Sequence, residues 1–329
     1  MRIRLSATLL ATLGFALPTC AQPSFDGSIK NNSLALSPDE RLVAVSNSSV
    51  DTVLVYDVAA GTLRKTLSGF INPRNIVFHP DGKRMYVSDS GLGVVLDYDA
   101  TSFEVKSRFP VGYGAFGTTL SPDGKTLFVN NQAASTVTAV ETDTGHAKAV
   151  ITGFAQPRQG IRLGPDGSKV YVTNFVGDKV TVVDEATRRI EGEIAGFDKI
   201  RAISIANDGK RLFAANSGTN EILVADLATR KVFQRIPVGR DPYGAALSPD
   251  GKVVYTGNRQ DNTVSVVDAT SYRVLDTIGG FEEPRQAIVF TKDGRTAYVL
   301  NKDLSVAVVD TSARKIVRLL EPKASADGA

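Results

Sequence analysis

The chain has 329 residues, 42% hydrophobic and 22% charged, a balance that excludes a disordered or fibrous chain and leaves room for a sizeable core. Its net charge of +3 falls to +1 once Arg2 and Arg4 are set aside with an N-terminal stretch that has no acidic residue. A general nucleic-acid or membrane-surface binder is therefore not expected.

Residues 1–21 read as a secretory signal: Arg2 and Arg4 are the charged start, Leu5 to Leu17 the apolar run, and Thr19-Cys20-Ala21 a small-residue cleavage site. The apolar run is too short to span a bilayer, so no transmembrane segment is expected. Cleavage after Ala21 removes the only cysteine and delivers the protein to the periplasm or the exterior. In a second reading, Leu17-Pro18-Thr19-Cys20 is similar to a bacterial lipoprotein box and leaves a lipid anchor at Cys20. Thr19 fits poorly before that cysteine, which favours soluble export. Either way the folded part has no disulfide and no thiol chemistry.

Residues 22–33 contain Pro23 and Gly27 in a polar run and read as a leader. A pattern then repeats seven times over 34–320, before a tail at 321–329 expected to be disordered. Its clearest sign is a turn, Ser121-Pro122-Asp123-Gly124, whose aspartate recurs at 39, 81, 123, 166, 208, 250 and 293, in steps of 42 or 43 residues. Pro presets φ at the first central turn position, Asp bonds back to nearby backbone, and Gly takes the left-handed position. Glu40 stands where the other six turns have Gly, so the first hairpin is expected to be strained or differently shaped.

Each turn is preceded by a short apolar segment, such as Leu34 to Leu36 or Ile76 to Phe78. An apolar strand ending in Asn or Asp follows it, Val170 to Asn174 being the fullest copy. Next comes a strand ending in an acid, such as Val180 to Asp184, and then a polar strand with alternating charges, such as Lys231 to Val238. Period-two alternation and the abundance of Val, Ile, Thr, Tyr and Phe mark strands, not helices. Four strands per repeat of about 42 residues make one propeller blade, and seven blades bury each other's sheet faces around an axis. The fold class is all-β, a seven-bladed β-propeller with four antiparallel strands per blade. The last repeat supplies all four of its strands, so the ring is expected to close by packing of blade 7 on blade 1, helped by residues 22–33, with no exchanged strand.

The strand Tyr171-Val172-Thr173-Asn174, followed by Val-x-Val-Val-Asp and framed by Pro-Asp-Gly turns, resembles the YVTN family of β-propeller repeats across essentially the whole mature chain. That resemblance implies the fold and an exported bacterial or archaeal protein, and says little about chemistry.

The loops from each outer strand to the next inner strand share a face with the loops after the Asn, opposite the Pro-Asp-Gly turns. In register they carry Asn32, Arg74, Phe116, Arg158, Arg201, Tyr243 and Arg285, again 42 or 43 apart. Symmetry places these seven around one mouth of the central channel. Arginine offers a fixed fork of donors suited to carboxylate or phosphate, and the two aromatics add flat apolar surface. Lys179, Arg259 and Lys302 extend the patch, and Asp178, Asp261, Glu282 and Glu283 temper it. The competing reading is structural, with each arginine held by an acid or carbonyl of the adjacent blade.

Other candidates carry less. Gly112-x-Gly114-x-x-Gly117 spells a dinucleotide fingerprint but is this repeat's own loop, with no helix after it. His79 and His146, the only histidines, belong to the turn face: His79 replaces the Ser of a turn, and His146 sits in an exposed one. With so few ligands no metal and no other cofactor is expected. The absence of Cys-x-x-Cys-His excludes covalent haem, and the absence of Trp weakens any likeness to quinone propellers. The repeated Asn and acid positions read as turn and blade-to-blade hydrogen-bonding residues.

Three functions follow. The favoured one is a non-catalytic exported binding or scaffold protein whose arginine-rich face holds an anionic small molecule or a protein partner. The second is a lyase or lactonase, similar to the streptogramin lyases or muconate-lactonising propellers. There Tyr243 or Glu283 would be the base and Arg158 or Arg201 would stabilise enolate-like charge. The third is an accessory subunit of a periplasmic dehydrogenase or electron-transfer complex.

Overall fold

The computed structural model describes residues 32–285 and 287–322. The expected signal, the Cys20 anchor and nearly all of the leader and tail lie outside the described residues, as does any help residues 22–31 give in closing the ring. Blade 1 is built from β1 (Leu34–Leu36), β2 (Leu42–Asn47), β3 (Thr52–Asp57) and β4 (Thr62–Leu67), paired antiparallel in that order. Six more four-stranded sheets repeat this plan up to β28 (Lys315–Leu320), each from one contiguous stretch of chain. The fold is a seven-bladed β-propeller, and no described strand is exchanged between blades.

Period-two alternation explains how neighbours stick. Every residue of β2 is buried, because its two faces serve two different junctions. Leu42 and Ala44 join Ile76, Met85 and Val87 of blade 2, whereas Val43 and Val45 join Tyr298, Leu300 and Val306 of blade 7. Each of the seven junctions has one such apolar cluster among the described residues. A fully buried Val or Leu contributes about 1.5–3 kcal/mol, so the stacked middle strands dominate the wheel's stability.

The turns are small closed circuits. Ser121 Oγ donates to Asp123 Oδ1 at 2.6 Å and accepts from Thr126 N at 2.9 Å, while Gly124 holds φ 74°. Ser37, Ser248 and Thr291 repeat the circuit with their own aspartates. His79 substitutes for the serine, its Nδ1 lying 2.8 Å from Asp81 Oδ1, which accounts for it structurally. Glu40 keeps the turn's shape, donating its N–H to Ser37 O at 2.8 Å, and carries the strain as a left-handed φ of 62°.

The strand-end residues are knots. Asn174 Oδ1 accepts from Ala155 N at 2.8 Å, and its Nδ2 donates to Thr181 Oγ1 at 2.9 Å. It thereby ties the incoming loop to the outgoing strand. Asp89 does the same with four backbone N–H groups, from Ile71 to Leu92. The acids that end the third strands cap the next turn, as Asp99 does for Thr101 and Ser102.

Candidate functional site

The innermost strands bring the seven registered positions to one rim. Pro73 pairs with Asp89, Ala115 with Asn131, Pro157 with Asn174, Ile200 with Asn216 and Pro242 with Asn258. Arg74, Phe116, Arg158, Arg201 and Tyr243 each follow the paired residue, so all enter their blades at an equivalent place. Arg285 takes that place in blade 7 and donates its N–H to Leu300 O at 3.2 Å. Carbonyls of this ring also clamp the blades: Arg74 O accepts from Ser46 Oγ, Phe116 O from Ser88 Oγ and Arg158 O from Asn130 Nδ2.

Consecutive ring members stack. The Arg74 guanidinium lies 4.8 Å from the Phe116 ring centroid, and Arg201 lies 4.8 Å from that of Tyr243. In both, Nε donates to the serine after the strand-end residue, Arg74 to Ser90 at 2.8 Å and Arg201 to Ser217 at 3.0 Å. Such cation–π contacts contribute about 0.5–2 kcal/mol, more when desolvated. The ring neighbour of Arg158 is Arg201, which offers no aromatic face. Arg158 instead lies 3.3 Å from the centroid of Phe175, which occupies the position of Ser90 and Ser217 in its own blade. Asn32 is buried and accepts from Ser48 N and Oγ, both at 3.0 Å.

Exposure divides the ring. Arg74 is 1% exposed and sealed behind Phe116, and Asn32, Phe116 and Tyr243 are also buried. Arg158, Arg201 and Arg285 are half-buried. The cationic focus is around Tyr243, where the Arg259 guanidinium lies 4.9 Å from the centroid of the ring that Arg201 also contacts. Burial and the nearby Arg259 charge depress the Arg285 pKa. Asp241, at 3.4 Å, and Glu283, at 3.8 Å, hold the Arg259 fork. Glu283 also takes Lys302 at 2.5 Å, and that hydrogen bond holds its carboxyl below the usual range. Of the other tempering acids, Asp261 pairs with Arg240 at 2.6 Å and Asp178 accepts from Ile200 N.

The same rim carries apolar side chains that the sequence reading passed over. Val50 is 63% and Tyr113 71% exposed, and Ile71, Phe175 and Val176 are exposed beside them, all in loops of this face over blades 1 to 4. The remaining exposed large apolar residues lie on outer strands, so none stands on the turn face among the described residues. Position within each loop was the available signal, since Val50, Phe175 and Val176 closely follow a strand-end Asn.

Gly112 and Gly114 lead into β9 (Ala115–Leu120) and Gly117 lies within that strand, not at the start of a helix. His146 is exposed on the turn face. No group of three His, Cys, Asp or Glu among the described residues is placed to hold a metal ion.

A family model described as "Lactonase, 7-bladed beta-propeller" matches residues 15–107 and 185–274, more than half of the chain. No curated protein matches the sequence. Among solved structures, a chain of Kuenenia stuttgartiensis hydrazine synthase is similar over 92% of this chain and 99% of its own, with TM-score 0.78 and 21% identity, a likeness of fold alone.

Proposed function

This chain belongs to the lactonase family of seven-bladed β-propellers, and within that family we propose that it is an exported, non-catalytic binding protein. Its arginine-bearing rim holds an anionic segment of a protein partner. The observation carrying this reading is the pairing, on one face, of a cationic cluster (Arg201, Arg259 and Arg285 around Tyr243) with exposed apolar side chains (Val50, Ile71, Tyr113). Exposed aromatic and aliphatic groups on the same face as arginines suit a protein surface better than a small anion, which needs a concave polar pocket. The partner's carboxylates would meet Arg158, Arg201 and Arg285, and its apolar groups would meet Tyr113 and Ile71. An accessory subunit of a larger enzyme is one form of this reading.

Calorimetric titration with an acidic peptide containing aromatic residues tests it. Binding should weaken steeply with salt, and by about fivefold or more in Tyr113→Ser, a position exposed enough to leave stability unchanged. Identical affinities in wild type, Tyr113→Ser and Arg201→Ala would defeat the proposal.

Family membership favours a second reading, lactone hydrolysis. Against it, Lys302 keeps Glu283 ionised with a lowered pKa, whereas a general base works best with a pKa near the working pH. Turnover of simple lactones that disappears in Tyr243→Phe would establish this reading over the first.

A further inference from the structure

Among the described residues, the central channel holds one charge that the rim does not use. Arg162 pairs with Tyr171 in the sheet, as Val77 pairs with Tyr86, Thr119 with Phe128, Ser204 with Phe213 and Val289 with Tyr298. These inner-strand side chains form one tier of the channel wall together with Ala246, and Arg162 is its single charge; Ala35, at the same register place in blade 1, packs into the core between blades 1 and 2. It reaches that tier through an irregularity. In β5 (Pro73–Phe78), β9 and β17 (Ile200–Ile205), three residues span what two span on the partner strand; in β13 (Pro157–Leu163), four do, from Pro157 to Ile161. This wider bulge supplies the 43-residue step of that repeat.

The guanidinium is reached by solvent yet ringed by protein, and that crowding depresses its pKa. Nη1 donates to the neighbouring Ile161 O at 2.8 Å, while Nε and Nη2 donate to no described residue. No charged group among the described residues offsets it, desolvation being the sole influence on its pKa. It borders an axial cavity of about 260 Å³ with Thr119 and Gln159, and a second of about 270 Å³ that leads past Pro165, Asn207 and Pro249 to the turn face. A cation so confined, with half its fork unused, concentrates positive potential where low-dielectric walls focus the field.

We propose that Arg162 anchors a binding site for a small oxyanion inside the channel, entered from the turn face. The ligand is a carboxylate- or phosphate-sized group whose two oxygens accept from Nε and Nη2, the planar arrangement that arginine matches. This site is separate from the arginine rim at the other mouth and does not depend on it.

The test is thermal unfolding and calorimetric titration of the full chain with inorganic phosphate, sulfate and acetate at constant low ionic strength. Wild type should saturate with about one equivalent of at least one anion and gain Tm with its concentration. Arg162→Met should lose affinity about tenfold or more, the loss expected of one bidentate charge-assisted contact. It should also fold without anion at least as stably as wild type, because an unpaired enclosed charge has been removed. Arg201→Ala, at the opposite mouth, should keep the anion response. Equal anion-induced Tm shifts in wild type and Arg162→Met would overturn the site, as would an anion-independent loss of stability in Arg162→Met.

Discussion

The two faces of the wheel hold their loops by different means. On the turn face each Asp turn is closed within four residues by a left-handed fourth residue, in five of the seven with a hydroxyl or imidazole on the aspartate, and little reaches outward. On the rim face the strand-end Asn or Asp also closes the loop, but the positions beside it vary from blade to blade and interlock across blades: Arg74 on Phe116, Arg201 on Tyr243. A repeat's constant residues therefore maintain the backbone, and its variable positions, stacked at one address by symmetry, supply what is individual to this chain.

The sharpest way to break the contrast is Arg74→Ala. It removes a sealed guanidinium, its stack on Phe116 and the partner of Ser90, and should cost about 3 kcal/mol of unfolding free energy in urea. Arg201→Ala, half-exposed, should cost about a third of that. Equal costs would mean that burial does not separate the two copies.

On the turn face, Ser121→Ala should cost about 1 kcal/mol at neutral pH, the ordinary worth of a hydrogen bond. Its hydroxyl is the leading reason the Asp123 carboxyl is held below its usual pKa, as Ser37 and Ser248 are for Asp39 and Asp250. A carboxyl whose folded pKa lies below its unfolded value stabilises above about pH 4 and loses that contribution as pH falls through the folded pKa. Wild-type stability should thus decline below pH 4, and the gap between wild type and Ser121→Ala should narrow there. A gap constant from pH 7 to pH 3 would rule out this origin.

The smallest effect belongs to Glu40→Gly. Glycine relieves the left-handed strain but forfeits the bond that Glu40 Oε1 accepts from Lys292 N at 2.6 Å, so stability should move by no more than about 0.5 kcal/mol. A loss above about 2 kcal/mol would make that bond the main tie between blades 7 and 1.

The seven-blade plan was legible because its turns demand particular residues: Asp to bond back, Gly for φ near 70°, and a fixed interval. The rim register was legible for the same reason. Which rim residues stay reachable was not. Arg74 and Arg158 end near-copies of six residues, Gly69-Phe70-Ile71-Asn72-Pro73-Arg74 and Gly153-Phe154-Ala155-Gln156-Pro157-Arg158, yet one faces Phe116 across the junction and the other turns to Phe175, a choice made by the next blade's residue. Arg162 escaped notice because the direction of an inner-strand side chain depends on how many residues the bulge absorbs, and the bulge in β13 differs from those in β5, β9 and β17. Both motif departures at the seam, Glu40 for Gly and Lys292 for Pro, were visible singly. Their meeting was not: a lysine supplies the N–H that a proline lacks, and only ring closure sets the two turns side by side.

The uninterrupted sheets carry a consequence for the chain's connectivity. Blades 7 and 1 touch through side chains, through Glu40, and through Tyr56 Oη on Leu304 O and Arg318 on Val58 O, with no ladder hydrogen bonds between described strands. The molecule is thus a linear file of seven modules curled until its first and last members meet. A circular permutant with new termini at another blade boundary would leave all seven ladders intact.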